Sequence, residues 1–412
     1  MRKFTLIIIS ILILAACGRD EAPIPEDEGT PVIERTIEAL SDNTVETDAV
    51  VKVEVPEPEP EPVLLVVSEN TVSENEAEEE LAEEEEEEEE EEPPFVDGSE
   101  MVRNIIVDTD YASDVDDVAC IRVACSMARL GLINFCAAGT SSLGDYATRG
   151  LHGHLCCEGF AYVPTGYNPQ GIECPSPFLQ YFVQNYHDAG TYTVIDAVEL
   201  YKNVIAENAK KGEKTRIVTT GYLSNIERLL LDPVGMQLVK NNVDSIWVTG
   251  GGYPEPGRDF NFWWKEEATR AAQTCVMYSP VPLVFITGNT GHSSVTGQYI
   301  SGGINLWKLD PKSKDVVSRA YRCFEEAHEG SDLKGGYNAQ DSIAVWAASS
   351  SFEQSNMHIT RIDATILDDG TNIFLPNPNG RHAVLERNDE NIYWYILQIN
   401  KYIDYPLTGV LY

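Results

Sequence analysis

Basic residues are scarce in this sequence. Its 412 residues include 29 lysine and arginine residues against 67 aspartate and glutamate residues, which gives a formal net charge of −38 at pH 7. A protein that binds nucleic acid presents a basic stripe or patch to the phosphate backbone, and this sequence offers none. We therefore expect no nucleic-acid partner.

Two other features are missing. None of the nine cysteines forms a Cys-x-x-Cys pair or a Cys/His cluster with zinc spacing, so a zinc site is not expected. Cys120, Cys125 and Cys136 lie inside apolar helix or strand patterns, where we expect buried free thiols. A long apolar run is also absent, because the stretch from Phe4 to Leu14 is too short for a membrane-spanning helix.

The first 17 residues have the pattern of an export signal. Arg2 and Lys3 precede the apolar stretch, and residues 14–17, Leu-Ala-Ala-Cys, form a small-residue cleavage site that ends in cysteine. This pattern resembles a bacterial lipoprotein signal, in which Cys17 becomes the lipidated first residue. The alternative is a plain secretory signal with an incidental cysteine. We expect an extracytoplasmic protein that its lipid anchors to a bacterial membrane.

Residues 18–100 have the composition of a disordered acidic tether. They contain 32 acidic and 3 basic residues, and Glu83 to Glu92 is an unbroken glutamate run. Such a segment repels itself and cannot bury an apolar core. Residues 101–412 hold 35 acidic and 24 basic residues and are numerous enough for one large domain.

Strand-like and helix-like segments alternate along this domain. Short apolar runs predict strands, among them 104–108, 133–139, 161–166, 216–220, 244–249 and 282–287. Helical patterns separate them, which predicts an α/β fold with an open, mostly parallel sheet and helices on both faces. From residue 352 the pattern changes to short strands and turns before a helix near 391–402. That change predicts a small C-terminal β/α cap on the same domain.

The most informative segment is RNIIVDTDYASDVDD, residues 103–117. Its apolar run predicts a buried strand that delivers carboxylates to its C-terminal edge, where open α/β sheets bind ligands. The segment holds five acids that would repel one another unless a cation or hydrogen-bond donors compensate. Helix capping explains one or two of them. For the rest a hard divalent metal is the simplest partner, with Ca²⁺ ahead of Mg²⁺. The acids are Asp108, Asp110, Asp114, Asp116 and Asp117.

Three later segments place polar groups at strand or helix ends. Thr220 ends a strand before a glycine, and its backbone carbonyl can coordinate a hard cation. Asp259 and Asn261 follow a glycine-rich strand end and have aromatic neighbours, which suits a carbohydrate-binding loop; an ordinary cap with core aromatics is the alternative. Asp341 directly precedes an apolar helix and is either its N-cap or a further carboxylate at the same edge.

These four segments, in this order, resemble the inosine–uridine-preferring nucleoside hydrolase family. DTDYASDVDD resembles the family's Asp-x-Asp…Asp-Asp signature. The Thr-Gly-x-Leu-x-Asn-Ile turn, the acid-Phe-Asn loop before Glu-Ala and the late aspartate match as well. The resemblance covers residues 103–350. It implies a nucleoside hydrolase-like fold that hydrolyses the N-glycosidic bond of a ribonucleoside, with Ca²⁺ as cofactor, and it suggests a homo-oligomer.

The resemblance also implies roles for single residues. Asp110 resembles the metal-bound general base that takes a proton from water. The implied calcium ligands are Asp110, Asp117, Asp341 and the Thr220 carbonyl, with Asp108 as a weak ligand or an outer hydrogen-bond acceptor. Asp116, Asp259 and Asn261 resemble the groups that hold the ribose hydroxyls. The chemistry is coherent, because a metal lowers the pKa of bound water and an adjacent carboxylate completes its deprotonation.

Several positions depart from the family pattern. Ala112 replaces the usual glycine of the first signature and follows the bulky Tyr111, and Asp259 replaces a more frequent glutamate. The second strand ends Gly-Thr-Ser-Ser at 139–142, where some members have Gly-Asn for a ribose contact.

The leaving-group acid is the most important departure. Gln340 stands where the family often has a histidine, and a glutamine cannot donate a proton as an acid. We assign Gln340 to the substrate site and consider His292, which follows a predicted strand, as a replacement acid. Trp263 is expected to stack on the base, with core packing as the alternative.

Two other functions stay open. A non-catalytic, calcium-dependent nucleoside- or sugar-binding lipoprotein would keep the grip on ribose and lose turnover with the histidine. A haloacid-dehalogenase-like phosphatase would use Asp108 and Asp110 as its nucleophile motif, but it also needs a lysine and a late acidic pair, whereas Asp341 stands alone. The principal hypothesis is the hydrolase, displayed outside the cytoplasm for purine and pyrimidine salvage.

Overall fold

The computed structural model describes residues 102–174, 176, 195–291, 315–327, 337–350, 357–388 and 392–408. The expected signal with Cys17, the expected tether 18–100 and the candidate acid His292 lie outside these residues. Within them, no helix combines the length and the apolarity needed to cross a membrane.

The described strands form one mixed sheet. They are β1 (Asn104–Thr109), β2 (Asn134–Ser142), β3 (Thr165–Ile172), β4 (Ile195–Asp196), β5 (Thr215–Thr219), β6 (Val243–Thr249), β7 (Gly257–Arg258), β8 (Leu283–Ile286), β9 (Met357–Ile366), β10 (Thr371–Pro376) and β11 (His382–Arg387). Their order across the sheet is β4-β3-β2-β1-β5-β6-β8-β11-β9-β10-β7. Neighbours from β4 to β11 are parallel, and the pairs from β11 to β7 are antiparallel.

Helices connect most of these strands. In the described residues they are α1 (Asp116–Arg129), α2 (Asp145–Cys157), α3 (Ala197–Lys210), α4 (Ser224–Leu231), α5 (Pro233–Asn242), α6 (Phe260–Trp263), α7 (Glu266–Tyr278), α8 (Gly288–Gly291), α9 (Val316–Ala327), α10 (Gln340–Ala348) and α11 (Ile392–Thr408).

Apolar side chains cover both faces of the sheet. On one face Ile105 and Val107 pack with residues of α1, α9, α10 and α11. On the other face Ile106 packs with residues of α3, α4 and α7. Alternate residues of β1 thus enter opposite cores, as the two-residue repeat of a strand requires. This explains why the strand is apolar throughout its centre, as is usual for a parallel strand covered on both sides.

The expected open, mostly parallel sheet with helices on both faces is confirmed. The C-terminal strands, expected as a small cap on the same domain, continue the same sheet. β11 pairs in parallel with β8, the first half of β9 pairs with β11, and its second half pairs with β10. The turn residues in the sequence indicated the hairpins. They did not indicate that the long strand β9 would pair with both β11 and β10.

The third strand also lies later than expected. The segment 161–166 begins with a turn in which the Val163 amide donates to the Phe160 carbonyl. The strand itself is Thr165–Ile172 and includes polar residues. Its pairing with β2 overrides the weak strand propensity of Asn168 and Gln170.

The parallel strands end together at one edge of the sheet. Asp108 of β1 is in register with Gly139 of β2 and Thr219 of β5. Thr249 of β6 is in register with Ile286 of β8. The segments that leave these strands therefore begin at a common edge, which is where open α/β sheets place ligands.

A buried ion pair generates a test of the core. Arg216, 1% exposed, donates from Nε to Asp244 Oδ2 at 2.6 Å and from Nη1 to the Ala348 carbonyl at 2.8 Å. We expect Arg216→Met to lower the free energy of unfolding by about 3–5 kcal/mol, because Asp244 would stay buried without its charged partner. Urea unfolding measures the change.

The control for that variant is Lys210→Met, which breaks an exposed ion pair with Glu207 and should leave the urea midpoint unchanged. Equal midpoints for the two variants would contradict the assigned role of Arg216.

Candidate functional site

A cavity of about 450 Å³ lies at the carboxyl edge of the sheet. Its volume suits a small-molecule ligand. The residues around it come from segments far apart in the sequence, which the parallel strands bring together. They are Asp110, Ser113, Asp114, Asp116, Cys174, Ser176, Thr220, Thr249, Asp259, Phe260, Asn261, Gly288, Asn338, Gln340 and Asp341.

Asp110 lies in the turn that follows β1. The Ser113 amide donates to the Asp110 carbonyl at 3.0 Å and closes the turn. Gly221 packs directly against it: a Cβ on Gly221 would lie 2.4 Å from the Asp110 nitrogen and 2.7 Å from Oδ1. Only glycine permits this approach. The sequence marked Thr220-Gly221 as a turn but gave no sign that this glycine makes room for Asp110.

Asp117 lies next to the cavity lining and is held by three donors. The Thr109 hydroxyl donates to Oδ1, and Oδ2 accepts from the Ser113 hydroxyl at 3.1 Å and from the Asp114 amide at 3.5 Å. Burial, together with the charge of Asp114, raises the pKa of Asp117 to about 7, although the hydroxyl donors offset part of the shift.

Asp108 lies behind the cavity and is fully buried. Asn225 Nδ2 donates to Asp108 Oδ1 at 3.2 Å and to the Thr140 carbonyl at 3.0 Å. Asp108 Oδ2 has no partner at hydrogen-bonding distance among the residues that the structure describes. Burial raises the pKa of Asp108 to about 7, with Asn225 and Tyr201 offsetting part of the effect. Asp108 is not among the residues that line the cavity, and the choice between the two roles expected for it stays a prediction.

Asp116 and Asp341 bring charge from two helix starts, α1 and α10. Burial raises the pKa of Asp341 well above its ordinary value, and the charges of Asp117, Asp114 and Asp110 add to the shift. Burial, Asp114 and Asp341 likewise raise the pKa of Asp116. The four aspartates from 110 to 117 and the late Asp341 are therefore close enough to repel one another, as predicted from the sequence.

Neither Asp114 nor Asp341 is the N-cap of its helix. Val115, not Asp114, is the N-cap of α1, and Asp114 Oδ1 instead accepts from the Asp116 amide at 3.2 Å. The Tyr337 hydroxyl donates to Asp114 Oδ2 at 3.3 Å. Ala339 is the N-cap of α10, so Asp341 lies in the first helical turn, where the helix dipole favours negative charge.

Asp259 and Asn261 reach the cavity from the start of α6. Asp259 caps the helix by accepting from the Asn261 amide at 3.0 Å. Asn261 Nδ2 donates to the Thr220 carbonyl at 3.2 Å and to the Thr249 carbonyl at 3.3 Å. One amide thus links the ends of β5 and β6. It also occupies one of the two lone pairs of the Thr220 carbonyl and leaves the other for a further partner.

The aromatic residue at the cavity is Phe260, whereas Trp263 is not among the lining residues. The Arg258 guanidinium lies over the Trp263 ring, 4.6 Å from its centroid, and Phe260 stacks on Trp264 at 4.9 Å. The aromatic residues of the four-residue helix α6 lie on different sides of that helix. Their spacing in the sequence did not show which of them would line the cavity. Phe260 is therefore the aromatic residue that lines the cavity within the described part of the chain.

Gln340 lies at the cavity with its amide engaged. Its Nε2 donates to the Ile286 carbonyl at 2.6 Å, and its Oε1 accepts from Asn338 Nδ2 at 3.4 Å. These contacts fix Gln340 at the end of β8, where it can support a ligand but cannot act as an acid.

The lining suits a hard cation in its chemistry. Carboxylate, hydroxyl and carbonyl oxygens surround the cavity, and its lining residues in the described part of the chain include no lysine, arginine or histidine. In the same part of the chain, no three acidic, histidine or cysteine side chains form a cluster at metal-ligand spacing. The cavity lining therefore fits a hard cation in the type of its ligand atoms and in its negative charge, which are the features that Ca²⁺ and Mg²⁺ prefer.

Asn372 was not anticipated from the sequence. It is fully buried on β10, where its Oδ1 accepts from the Gly252 amide at 2.8 Å and the Gly257 amide at 3.2 Å. Its Nδ2 donates to the Gly252 carbonyl at 2.8 Å. The C-terminal part of the sheet thus fastens the loop that leads into Asp259 and Asn261. A single asparagine within a strand pattern does not indicate such a role.

The fold is shared with known hydrolases. No family model and no curated protein sequence matches the chain. Among solved structures, an inosine-uridine preferring nucleoside hydrolase from Bacillus anthracis aligns over 73% of this chain and 100% of its own, with a TM-score of 0.54 at 14% identity. A plant nucleoside hydrolase aligns over 73% of this chain and 98% of its own, with a TM-score of 0.53 at 16% identity.

A third solved structure of the same fold has a different description. The type III effector protein XopQ, complexed with adenosine diphosphate ribose, aligns over 76% of this chain and 96% of its own, with a TM-score of 0.53 at 11% identity. At these identities the likeness establishes the fold. The chain has the nucleoside hydrolase-like α/β fold that its motifs predicted.

Asn372 provides a direct test of the loop. We expect Asn372→Ala to lower the free energy of unfolding by about 1–3 kcal/mol, because it leaves part-buried backbone groups of residues 252 and 257 without the partners that Asn372 supplies. Amide hydrogen exchange in residues 250–261 should become faster in the same variant.

Asn379→Ala, an exposed asparagine in the turn after β10, is the control. Exchange in 250–261 that is the same in both variants would show that Asn372 does not hold the loop.

Proposed function

We propose that this protein hydrolyses the N-glycosidic bond of ribonucleosides, releasing ribose and the free base, with Ca²⁺ as its cofactor. The observation that carries the proposal is the meeting of Asp110, Asp116, Asp259, Asn261 and Asp341 around one cavity at the carboxyl edge of the sheet. These residues come from three separate parts of the chain. Their types match what the reaction needs: a base, oxygen ligands for a hard ion, and hydrogen-bonding groups for sugar hydroxyls.

The proposed calcium ligands are Asp110, Asp117, Asp341 and the Thr220 carbonyl. Asp108, behind them, orients Asn225 rather than reaching the cavity. Support comes from electrostatics, since burial and mutual repulsion raise the pKa of Asp110, Asp117 and Asp341. A buried group of carboxylates without a positive side chain is stabilised by a cation. When bound, calcium would lower the pKa of a water molecule and hold two ribose hydroxyls.

The protein's own residues supply the remaining chemistry. Asp110 accepts the proton that water loses as its oxygen attacks the anomeric carbon. Asp116, Asp259 and Asn261 hold the ribose hydroxyls by hydrogen bonds. The negative field of the clustered aspartates favours the positive charge that develops on the sugar as the bond to the base breaks.

The leaving base is the less supported half of the reaction. In this proposal Phe260, which lines the cavity, stacks on the base, and Gln340 supports the base without donating a proton as an acid. His292 stays a proposed proton donor from the sequence alone.

A second candidate is a binding protein without turnover. The specific observation in its favour is Gln340, whose amide is already engaged by the Ile286 carbonyl and which occupies the usual place of the acid. The phosphatase alternative has less support, because no lysine lines the cavity within the described residues.

Export through residues 1–17, anchoring at Cys17 and possession of a disordered tether belong to the same proposal and rest on the sequence. So does assembly as a homo-oligomer. Under this proposal nucleoside hydrolysis takes place outside the cytoplasm, where a lipid anchor would keep the enzyme at the membrane.

The base assignment is tested by Asp110→Asn. We expect ribose release from ribonucleosides to fall by about 10²–10⁴-fold, the usual contribution of a general base, while the circular dichroism spectrum stays unchanged. Asp363→Asn, on an exposed position of β9, should retain wild-type turnover. Near-normal ribose release by Asp110→Asn would rule out the role.

Calcium dependence is tested by chelation. EGTA should stop ribose release and added Ca²⁺ should restore it. Calcium at 100 times its Kd should also stabilise the wild-type fold by about 2.7 kcal/mol, because it binds only the folded chain. Asp341→Asn should lose most of that stabilisation. Ligand binding that needs calcium but yields no ribose would favour the binding protein, and release insensitive to EGTA would exclude the metal.

A further inference from the structure

The turn that carries Asp110 contains a residue in an unfavourable conformation. Ala112 has φ +62°, the only non-glycine residue with a positive φ in the described part of the chain. It is the third residue of the turn closed by the Ser113 amide and the Asp110 carbonyl. A positive φ at this position of a turn normally requires glycine. Some other contact must therefore hold the turn.

The contact is made by Tyr111, the residue before Ala112. Tyr111 and His154 are both fully buried, and the Tyr111 hydroxyl lies 3.0 Å from His154 Nδ1. Tyr111 thus points away from the cavity and into the core between the sheet and α2. Asp110 and Ala112 are bonded directly to Tyr111, so the position of the Tyr111 ring constrains the backbone of both residues.

His154 lies next to a buried polar network. Its Nε2 lies 3.6 Å from Glu158 Oε1. Glu158 in turn accepts from Arg122 Nε, and Arg122 donates to Asp315 Oδ1 at 2.5 Å and to the Ile403 carbonyl at 3.1 Å. The network connects α1, α2, the start of α9 and α11. Tyr111 is therefore attached to a rigid part of the core.

The protonation state of this network follows from its surroundings. Burial lowers the pKa of His154, with Glu158 offsetting part of the shift. Burial alone would raise the pKa of Glu158, but Arg122 and His154 lower it to about 2. A neutral imidazole with Nε2–H toward the Glu158 carboxylate leaves Nδ1 as an acceptor, so the Tyr111 hydroxyl donates to it.

We propose that the hydrogen bond from Tyr111 to His154 is a positioning contact that holds the turn 110–113 in its strained form and so aims the Asp110 carboxylate into the cavity. The effect of this contact on the turn is inferred from geometry alone. Its effect on catalysis rests on the proposed function. Tyr111 and His154 touch no ligand themselves. They act through the backbone of the residue that does.

The test compares Tyr111→Phe with the double variant Tyr111→Phe/Ala112→Gly in the full chain at saturating calcium. We expect Tyr111→Phe to lower kcat about tenfold, or about 1.4 kcal/mol, and to change KM less than about twofold, because the ribose-holding residues lie on other segments. Glycine at 112 removes the penalty of the positive φ, so the double variant should return to within about threefold of the wild-type kcat.

Two further variants complete the comparison. Tyr395→Phe removes another buried hydroxyl, which accepts from the Asn388 amide at 3.0 Å, and should leave kcat unchanged. His154→Leu removes the same hydrogen bond from its other end and should reproduce the kcat loss of Tyr111→Phe. This second route keeps the proposal testable if one variant folds poorly.

Amide hydrogen exchange gives a readout that does not depend on activity. The Ser113 amide closes the turn, and its protection should fall in Tyr111→Phe and recover in the double variant. If the wild-type chain releases no ribose, the proposed function fails while exchange still decides this proposal. Tyr111→Phe with wild-type kcat and Ser113 protection, or a loss that glycine at 112 does not recover, would overturn it.

Discussion

The burial of several like-charged carboxylates at one edge of the sheet is the constraint on which the rest of the site depends. Asp108, Asp110, Asp116, Asp117 and Asp341 are all buried. Burial raises the pKa of Asp108 to about 7, and burial together with the charge of Asp114 raises the pKa of Asp117 to about 7. Burial and mutual repulsion likewise raise the pKa values of Asp110, Asp116 and Asp341. Such a group is unfavourable unless donors or a cation compensate it.

Neutral donors compensate only part of this charge. The hydroxyls of Thr109 and Ser113 are directed at Asp117, and the Asn225 amide is directed at Asp108. Within the described part of the chain, Asp108 Oδ2 keeps no partner at hydrogen-bonding distance. The donors thus orient the acids and leave negative charge around the cavity. A hard cation and the sugar hydroxyls of a ligand are the groups that this charge suits.

Two asparagine side chains and one glycine determine the position of the backbone around the acidic residues. Asn261 links the carbonyls at the ends of β5 and β6, and Asn372 fastens the loop between β6 and α6. Gly221 lets β5 approach Asp110. Because strands in register set these segments side by side, small changes in their loops would misplace the carboxylates. Rigid support from outside the cavity is what a preorganised site needs.

The sequence predicted the parts that depend on local pattern. The apolar run before Asp108 indicated β1, and the alternation of strands and helices predicted the parallel sheet. The family resemblance then implied that Asp110, Thr220, Asn261 and Asp341 meet at one edge. The sequence could not predict which aromatic of α6 faces the cavity, or that β9 would pair with two strands.

The remaining misses share a physical cause. The roles of Asn372 and of His154 with Tyr111 arise from contacts between residues far apart in sequence. No local propensity or spacing records such contacts, so only the folded arrangement reveals them.

A crystal structure of the protein grown with Ca²⁺ and ribose tests the central claim most directly. The account predicts one calcium ion, identified by its anomalous signal, bound to oxygen atoms of both Asp110 and Asp341 and in contact with the sugar. A well-ordered cavity that holds ribose with no ion between those two carboxylates at saturating calcium would contradict it.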